Sequence, residues 1–255
     1  MKVGIVTYNL AQDWDLPTVI ERCANTGMQG VELRTGHAHG VEVDLSAQQR
    51  QEVRRRFQDS PVELAGLGSA FEYHSLDPAQ VRRNVEGTKE YVKLAADVGA
   101  CGVKVRPNSL NRGKGAPQAQ TIEQIGRALR ECGEFAKDYG VEIRLEVHGD
   151  ESALLPNIRA MLDAADHDNV FACWNSNDLD IVEGSVRPSF ELVRGLIRLV
   201  HMRDLFLDYP YRELLGLLKE SEYDGFCLAE IPASPDPERV MRYFRGLWEA
   251  YLGRR

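Results

Sequence analysis

The strongest constraint on the fold is a repeated alternation between short β-branched runs and longer amphipathic segments. Eight short runs have the composition of strands, and each is followed by a segment with helical periodicity. We predict strands at residues 3–7, 30–34, 62–66, 102–106, 142–147, 170–174, 196–201 and 225–231. We predict helices near residues 16–25, 46–59, 78–98, 121–139, 153–165, 188–194, 211–220 and 237–251.

This order of elements favours a parallel sheet, because parallel neighbours need long crossover connections. Eight such units in 255 residues predict an α/β fold in which the sheet closes into a (β/α)₈ TIM barrel. An open doubly wound sheet is the alternative, but the first strand–helix turn lacks the dinucleotide fingerprint G-x-G-x-x-G. No linker or low-complexity tract interrupts the pattern, so residues 1–255 are predicted to form a single domain.

Charge and cysteine usage argue against several classes of protein. The net charge of −8 is opposite to the basic field of a nucleic-acid binder. No apolar stretch reaches the roughly 18 residues of a membrane span. The five cysteines are scattered and form no C-x-x-C pair, which argues against a disulfide framework or a structural zinc site. We therefore expect a cytoplasmic protein with reduced thiols and no nucleic-acid or membrane partner.

Polar side chains concentrate where enzymes with this fold carry their chemistry, at the C-terminal ends of the strands. In the fifth strand, EIRLEVHGD, side chains alternate, so Arg144, Glu146 and His148 share one face. The apolar residues of the other face suit the helix layer. Because burying an unpaired carboxylate is costly, Glu146 needs a cation, a proton or a partner. A salt bridge to Arg144 or to another basic residue is the structural alternative to a catalytic role.

The next three strands also end in polar residues. Asn175 and Asp178 follow the sixth strand, His201 ends the seventh, and Glu230 ends the eighth. Neighbouring strands of a barrel would bring Glu146, Asn175, His201 and Glu230 together. Oxygen and imidazole ligands of this kind suit Mn²⁺ or Mg²⁺, with Co²⁺ or Zn²⁺ as further candidates. Taken alone, His201 is better explained as a hydrogen-bonded structural histidine.

These stretches resemble the xylose-isomerase-like sugar isomerase/epimerase family, and the resemblance covers nearly the whole chain. The matching segments are GVELR (30–34), RLEVHG (144–149), ACWNSND (172–178), VHMRD (200–204) and CLAEI (227–231). In metal-dependent members, a Glu, an Asp, a His and a second Glu at these strand ends bind one divalent ion. The resemblance implies that Glu146, Asn175, His201 and Glu230 hold the metal.

Asn175 departs from this pattern, because it stands where metal-dependent members usually have Asp. An Asn carbonyl is able to coordinate the ion but brings no charge, so we expect weaker binding. Asp178, on the same loop, is a candidate source of the missing carboxylate. A site that uses its paired glutamates without a metal is the alternative.

The resemblance implies a sugar or sugar-derivative isomerase or epimerase that works by proton transfer through an enediolate. Glu146 and Glu230 would act as base and acid, with burial and shared charge separating their pKa values. The alternatives are elimination on an oxidised sugar by the same site and a non-catalytic sugar-binding barrel. The apurinic endonuclease branch shares this barrel, but the acidic net charge and the different ligand residues disfavour that activity.

Several residues of the same rim are candidates for contact with a small carbohydrate substrate. They are Arg34, His74, Lys104, Arg106, His148 and Asp178. The basic residues would pair with hydroxyls, a carboxylate or a phosphate, or else with glutamates inside the barrel.

Two other features leave alternatives open. His37-Ala-His39 is either a metal-binding pair or part of an exposed loop. The aromatic residues of the last helix, Tyr243, Phe244 and Trp248, serve either a homo-oligomer interface or packing against the barrel.

Overall fold

The computed structural model describes residues 1–253 and shows a closed barrel of eight parallel strands. The strands follow one another around the barrel in chain order, and the eighth pairs with the first. They are β1 (Lys2–Val6), β2 (Gly30–Arg34), β3 (Glu63–Glu72), β4 (Gly102–Arg106), β5 (Glu142–Glu146), β6 (Val170–Asn175), β7 (Ile197–Met202) and β8 (Phe226–Ala229). The (β/α)₈ TIM barrel predicted from the sequence is therefore confirmed.

An α-helix follows each of the eight strands. The helices are α1 (Leu16–Thr26), α2 (Ala47–Gln58), α3 (Pro78–Val98), α4 (Gln118–Lys137), α5 (Leu155–Ala165), α6 (Arg187–Val193), α7 (Tyr211–Glu220) and α8 (Pro237–Tyr251). Their ends show the expected capping chemistry. Ser46 and Gln49 form a reciprocal capping box, and α1 ends at Gly27 with a left-handed φ of 73°. Among residues 1–253, no helix is long and apolar enough to cross a membrane.

β3 is longer than predicted and reaches the rim of the barrel. The prediction ended at Gly66, whereas the strand continues to Glu72. Gly66 and Gly68 interrupt the apolar pattern of the strand, because glycine has no side chain. The end of the strand was therefore predicted too early. The strand pairs with β2 as far as Gly68 and with β4 at Glu72, with an irregularity between those two positions.

The hydrophobic core has two parts because side chains alternate along every strand. The larger cluster packs the outward-facing strand residues against the helices. The smaller cluster consists of the intervening strand residues, Val6, Ala65, Cys173, Leu199, Phe226 and Leu228. Charged side chains share the barrel interior with it, since Val6 is in register with Glu32 and Cys173 with Glu146.

Arg144 is buried inside the barrel, but it pairs with Glu142, and the basic residue that pairs with Glu146 is Lys104. Arg144 Nε and Nη2 donate to a Glu142 carboxylate oxygen at 2.9 and 2.7 Å, and Nη1 donates to the Ala65 carbonyl at 2.8 Å. Glycine on the facing strand makes room for it, since a Cβ on Gly102 would lie 2.5 Å from Arg144 Nε.

The aromatic residues of α8 divide between the core and the surface. Phe244 and Trp248 are buried in the main core, whereas Tyr243 is 68% exposed. Packing therefore accounts for two of the three residues that we considered for an interface. Assembly into a homo-oligomer stays a prediction.

The close contact of β1 with β2 generates a test of barrel packing. A Cβ on Gly4 would lie 2.1 Å from the Gly30 carbonyl oxygen, and backbone cannot move aside cheaply. We expect Gly4→Ala to lower the free energy of unfolding by about 1–3 kcal/mol. Gly246→Ala is the matched control, because no atom lies within 4 Å of its added Cβ. It should stabilise α8 by up to about 1 kcal/mol. Urea unfolding of both variants measures the contrast, and an unperturbed Gly4→Ala protein would contradict it.

Candidate active site

A cluster of ionisable side chains fills the barrel at the C-terminal ends of the strands. Glu32 from β2, Lys104 from β4, Glu146 from β5 and His201 from β7 are each at most 3% exposed. Lys104 Nζ donates to Glu146 Oε2 at 2.9 Å. An ion pair in such a dry setting is much stronger than on the surface, but removing either partner would leave an uncompensated buried charge.

His201 lies at the centre of this cluster, with a carboxylate on each side of its ring. Nδ1 is 3.2 Å from Glu146 Oε1 and 3.8 Å from Glu230 Oε2. Nε2 faces Glu32 Oε2 at 3.4 Å. Glu146, His201 and Glu230 each offer one ligand atom within 4.8 Å of the other two. The ring is therefore oriented by Glu32 on one side and presents its other nitrogen to two carboxylates, as a metal-binding histidine requires.

Asn175 joins this group from the end of β6. Its Nδ2 donates to Glu146 Oε1 at 3.3 Å, and its residue is 8% exposed. The four strand-end residues that we predicted as metal ligands thus lie together. In this geometry the amide nitrogen of Asn175 faces Glu146, so its carbonyl is the atom left to serve as a ligand.

The charges of the cluster separate the pKa values of the two glutamates. Burial raises the pKa of Glu146, but Lys104 and His201 outweigh burial and hold it well below the ordinary value. Burial also raises the pKa of Glu230, and there the charges of Glu146 and Glu32 add to the increase. The two carboxyl groups therefore differ in proton affinity in the way that paired acid–base residues do.

The charge balance and one unsatisfied atom fit a divalent cation. With His201 neutral, as a metal-ligating histidine must be, three carboxylates of the described residues, those of Glu32, Glu146 and Glu230, surround one ammonium group, that of Lys104. Glu32 Oε1 is buried and has no hydrogen-bond partner. A divalent ion held by Glu146, His201 and Glu230 would relieve this excess of negative charge, and the donor set is one that such ions use.

A cavity of about 420 Å³ opens above the cluster. Four of the six residues that we predicted to bind substrate line it, namely Arg34, Lys104, Arg106 and His148. Glu146, Asn175 and Glu230 also face it. The remaining lining residues are Tyr8, Asn9, Ser176, Asn177, Arg203, Asp204, Leu207 and Pro232. Its volume and its mixture of charged and amide groups suit a small polar molecule.

His74 and Asp178 do not line this cavity. His74 lies beyond the end of β3, with Nε2 4.0 Å from Glu72 Oε1. The side chain of Asp178 is 82% exposed and accepts a hydrogen bond from Arg203 Nη2 at 2.7 Å. A short 3₁₀ turn over Asp178–Asp180 directs Asp178 outward, so it is not in position to replace the carboxylate missing at Asn175.

The His37-Ala-His39 segment is not arranged as a metal-binding pair. His39 is 6% exposed, its Nε2 contacts the Arg34 carbonyl at 2.7 Å, and its Nδ1 accepts from the Val41 amide at 3.0 Å. Both ring nitrogens are therefore used by the backbone. His39 instead fixes the loop that follows β2.

Sequence reasoning missed Glu32, Tyr8 and Arg203 as residues of the site. Glu32 had a usable signal, because GVELR alternates as β5 does and places a glutamate between two buried apolar residues. Tyr8 and Arg203 follow β1 and β7 in irregular segments, where no periodicity indicates the direction of a side chain.

Asp180 anchors the loop that carries Asn175. Its Oδ2 accepts hydrogen bonds from the Asn177 amide at 2.8 Å and the Tyr209 hydroxyl at 2.9 Å. Asn177 Nδ2 in turn donates to the Asn175 and Val147 carbonyls, which ties the ends of β5 and β6 together. Burial raises the pKa of Asp180 to about 7.

The raised pKa of Asp180 predicts a pH-dependent contribution to stability. Between the ordinary value of 3.8 and about 7, the folded state holds this proton more tightly than the unfolded chain does. The contribution of Asp180 to the stability of the native protein should therefore fall as pH rises through this range, by up to about 1.4 kcal/mol per pH unit. Asp180→Asn cannot ionise, so its stability relative to wild type should improve with pH.

Denaturant unfolding at pH 5, 6, 7 and 8 measures this trend. Asp178→Asn is the matched control, because it makes the same chemical change in the same turn at an exposed side chain. Parallel curves for Asp180→Asn and wild type would contradict the interpretation.

Comparison with known proteins agrees with the geometry. A sequence model of the xylose isomerase-like TIM barrel family matches residues 20–247. No curated protein sequence is significantly similar to the chain. Among solved structures, D-psicose 3-epimerase from Clostridium cellulolyticum H10 with D-tagatose aligns over 99% of both chains, with 16% identity and a TM-score of 0.84.

Two further solved structures have the same fold. The 3-keto-D-glucoside 4-epimerase YcjR from E. coli is 16% identical, with 98% of this chain and 99% of that chain covered and a TM-score of 0.81. The IolI protein with a bound zinc atom is 18% identical, with 99% and 96% covered and a TM-score of 0.77. Identities this low establish the fold alone. Because the family match spans most of its length, the chain belongs to the xylose isomerase-like TIM barrel family.

Proposed function

We propose that the protein is an isomerase or epimerase of a sugar or sugar derivative, acting by proton transfer next to a carbonyl group. The observation that carries this proposal is the placement of Glu146 and Glu230 in a single cavity, both beside His201 Nδ1. Two carboxylates that differ in proton affinity and face one bound molecule are what such a proton transfer needs. The sugar epimerases among the structural neighbours support the proposal.

In the proposed reaction, one glutamate removes a proton from the carbon beside the carbonyl. The resulting enediolate is reprotonated by the other glutamate on the neighbouring carbon or on the opposite face. Lys104 lines the cavity beside Glu146 and holds a positive charge where negative charge develops on substrate oxygen. Asn175 and Lys104 also fix the orientation of the Glu146 carboxylate through its two oxygens.

We infer that a divalent metal ion, Mn²⁺ or Mg²⁺ and otherwise Co²⁺ or Zn²⁺, binds Glu146, His201 and Glu230, with Asn175 as a fourth, uncharged ligand. Such an ion would polarise the carbonyl group and stabilise the enediolate charge. The ring position of His201, oriented by Glu32, and the excess of carboxylates support this inference. The zinc atom bound by the IolI protein shows that a neighbour with this fold holds a metal.

We also infer that the protein acts in the cytoplasm. No disulfide bond joins the five cysteines, which all lie within residues 1–253, and Cys23, Cys132, Cys173 and Cys227 are buried. Cysteines without disulfide bonds are typical of proteins in a reducing compartment.

The paired-glutamate mechanism predicts the behaviour of two substitutions. Glu146→Gln and Glu230→Gln should each reduce turnover by at least about 10²-fold, because each removes a group that carries a proton. Glu63→Gln is the matched control, since Glu63 is exposed and paired with Lys2 at the start of β3. Incorporation of solvent deuterium into a panel of ketoses measures the proton transfer.

Product mass distinguishes the reaction classes in the same experiment. An unchanged mass, apart from the deuterium, identifies isomerisation or epimerisation. Loss of water would identify elimination, the alternative that uses the same site. Deuterium exchange that both glutamine variants retain at the wild-type rate would contradict the assigned roles.

The metal inference predicts that binding depends on His201 and on the charge at position 175. His201→Ala should weaken Mn²⁺ binding at least tenfold. Asn175→Asp should strengthen it by about tenfold, or about 1.4 kcal/mol, because a charged ligand replaces an amide. His167→Ala is the control, because His167 precedes β6 and lies away from the cavity. Titration calorimetry with Mn²⁺ measures all three, and equal affinity in wild type and His201→Ala would rule out the site.

A further inference from the structure

The wall of the cavity opposite the metal-ligand candidates is positively charged. Arg34, at the end of β2, and Arg106, at the end of β4, both line the cavity. This is unexpected in a chain with a net charge of −8. The two arginines lie on either side of β3, where Arg34 is in register with Gly68 and Arg106 with Glu72.

Neither arginine is neutralised by the protein. The other two cations that line the cavity have partners, since Lys104 pairs with Glu146 and Arg203 with Asp178. Among residues 1–253, no carboxylate oxygen lies within 4.0 Å of the Arg34 or Arg106 guanidinium. Most other arginines in this part of the chain do have such a partner.

The donors of these arginines are largely unused. Arg106 Nε is buried without a hydrogen-bond partner, and Nη2 makes one long contact of 3.4 Å with the Ala70 carbonyl. Arg34 places its guanidinium 5.3 Å from the centre of the Tyr8 ring, which orients it without using its N–H groups. Two half-buried guanidinium groups with free donors therefore face one cavity.

The chemistry of guanidinium groups favours an anion over a neutral hydroxyl. Charge-assisted hydrogen bonds are about twice as strong as neutral ones, and the planar fork of arginine matches a carboxylate or a phosphate. Sugar hydroxyls would leave both positive charges uncompensated in a partly desolvated cavity.

Resting on the function proposed above, we propose that the substrate is an anionic sugar derivative. Its carboxylate or phosphate group binds between Arg34 and Arg106, and its carbonyl end lies between Glu146 and Glu230. The volume of about 420 Å³ accommodates a molecule of this size. The anionic group and the reacting carbons then occupy opposite ends of one cavity.

Ketoses that differ only at their last carbon test this inference. The probes are D-fructose, D-fructose 6-phosphate and D-fructuronate, together with the corresponding sets built on D-tagatose and D-psicose. Titration calorimetry at low ionic strength gives the dissociation constant of each. We expect at least one phosphate or carboxylate member to bind ten or more times more tightly than its neutral counterpart, and its identity tells which anion the site takes.

Variants show whether the two arginines cause the preference. Arg34→Gln and Arg106→Gln should each reduce the ratio of anionic to neutral affinity several-fold, with the affinity for the neutral ketose little changed. Arg54→Gln is the matched control, because Arg54 also lacks a carboxylate partner but lies on α2, away from this cavity. Added salt should reduce the preference in wild type by screening.

The inference is overturned if no anionic probe binds more tightly than its neutral counterpart. It is also overturned if the preference persists in both the Arg34→Gln and Arg106→Gln variants. Because these measurements record binding and not turnover, they are independent of the deuterium experiment. A preference for anions without deuterium exchange would contradict the proposed reaction and support the anion site. Deuterium exchange without a preference for anions would support the proposed reaction and contradict the anion site.

Discussion

The buried ion pair between Lys104 and Glu146 is the interaction on which the rest of the site depends. Each partner is a charge that the barrel interior could not hold alone, and a distance of 2.9 Å lets each compensate the other. When His201 is neutral, one lysine does not balance three carboxylates, and the excess negative charge favours a cation beside His201. Burial is the main cause of the raised pKa of Glu230, and the charges of the neighbouring carboxylates add to it. Burial and charge imbalance together account for the acid–base pair and the metal-ligand geometry.

Sequence periodicity was sufficient to predict the barrel and much of the site. The alternation in β5 directed Glu146 inward, and the cost of burying a carboxylate indicated that it needs a partner. The choice of partner was not predictable in the same way. Lys104 and Arg144 are neighbours in register across β4 and β5, and both face the interior. Which cation reaches Glu146 depends on the space around each side chain. The glycines of β3 and β4 leave room for the Arg144 guanidinium, which pairs with Glu142 instead.

Side-chain positions in the loops at the rim of the barrel could not be predicted from the sequence. Asp178 and Asp180 are two residues apart in a segment without periodicity, and the sequence does not distinguish them. The structure exposes Asp178 and buries Asp180, because a 3₁₀ turn rotates one carboxylate outward and the other onto Tyr209. Glu32 differs from these cases. It lies in a regular strand, and the alternation argument used for Glu146 would have found it.

Arg144 has a consequence for the range of molecules that the barrel is able to hold. Its guanidinium crosses from β5 to the Ala65 carbonyl of β3, above Gly102, and forms a floor of charge beneath the cluster around Glu146. A floor of this kind closes the barrel from below, so a longer ligand has no deeper space to enter. Any extra length must project upward among the loops that follow the strands. Divergence in substrate size within such a scaffold is therefore a matter of loop sequence, while the barrel itself stays unchanged.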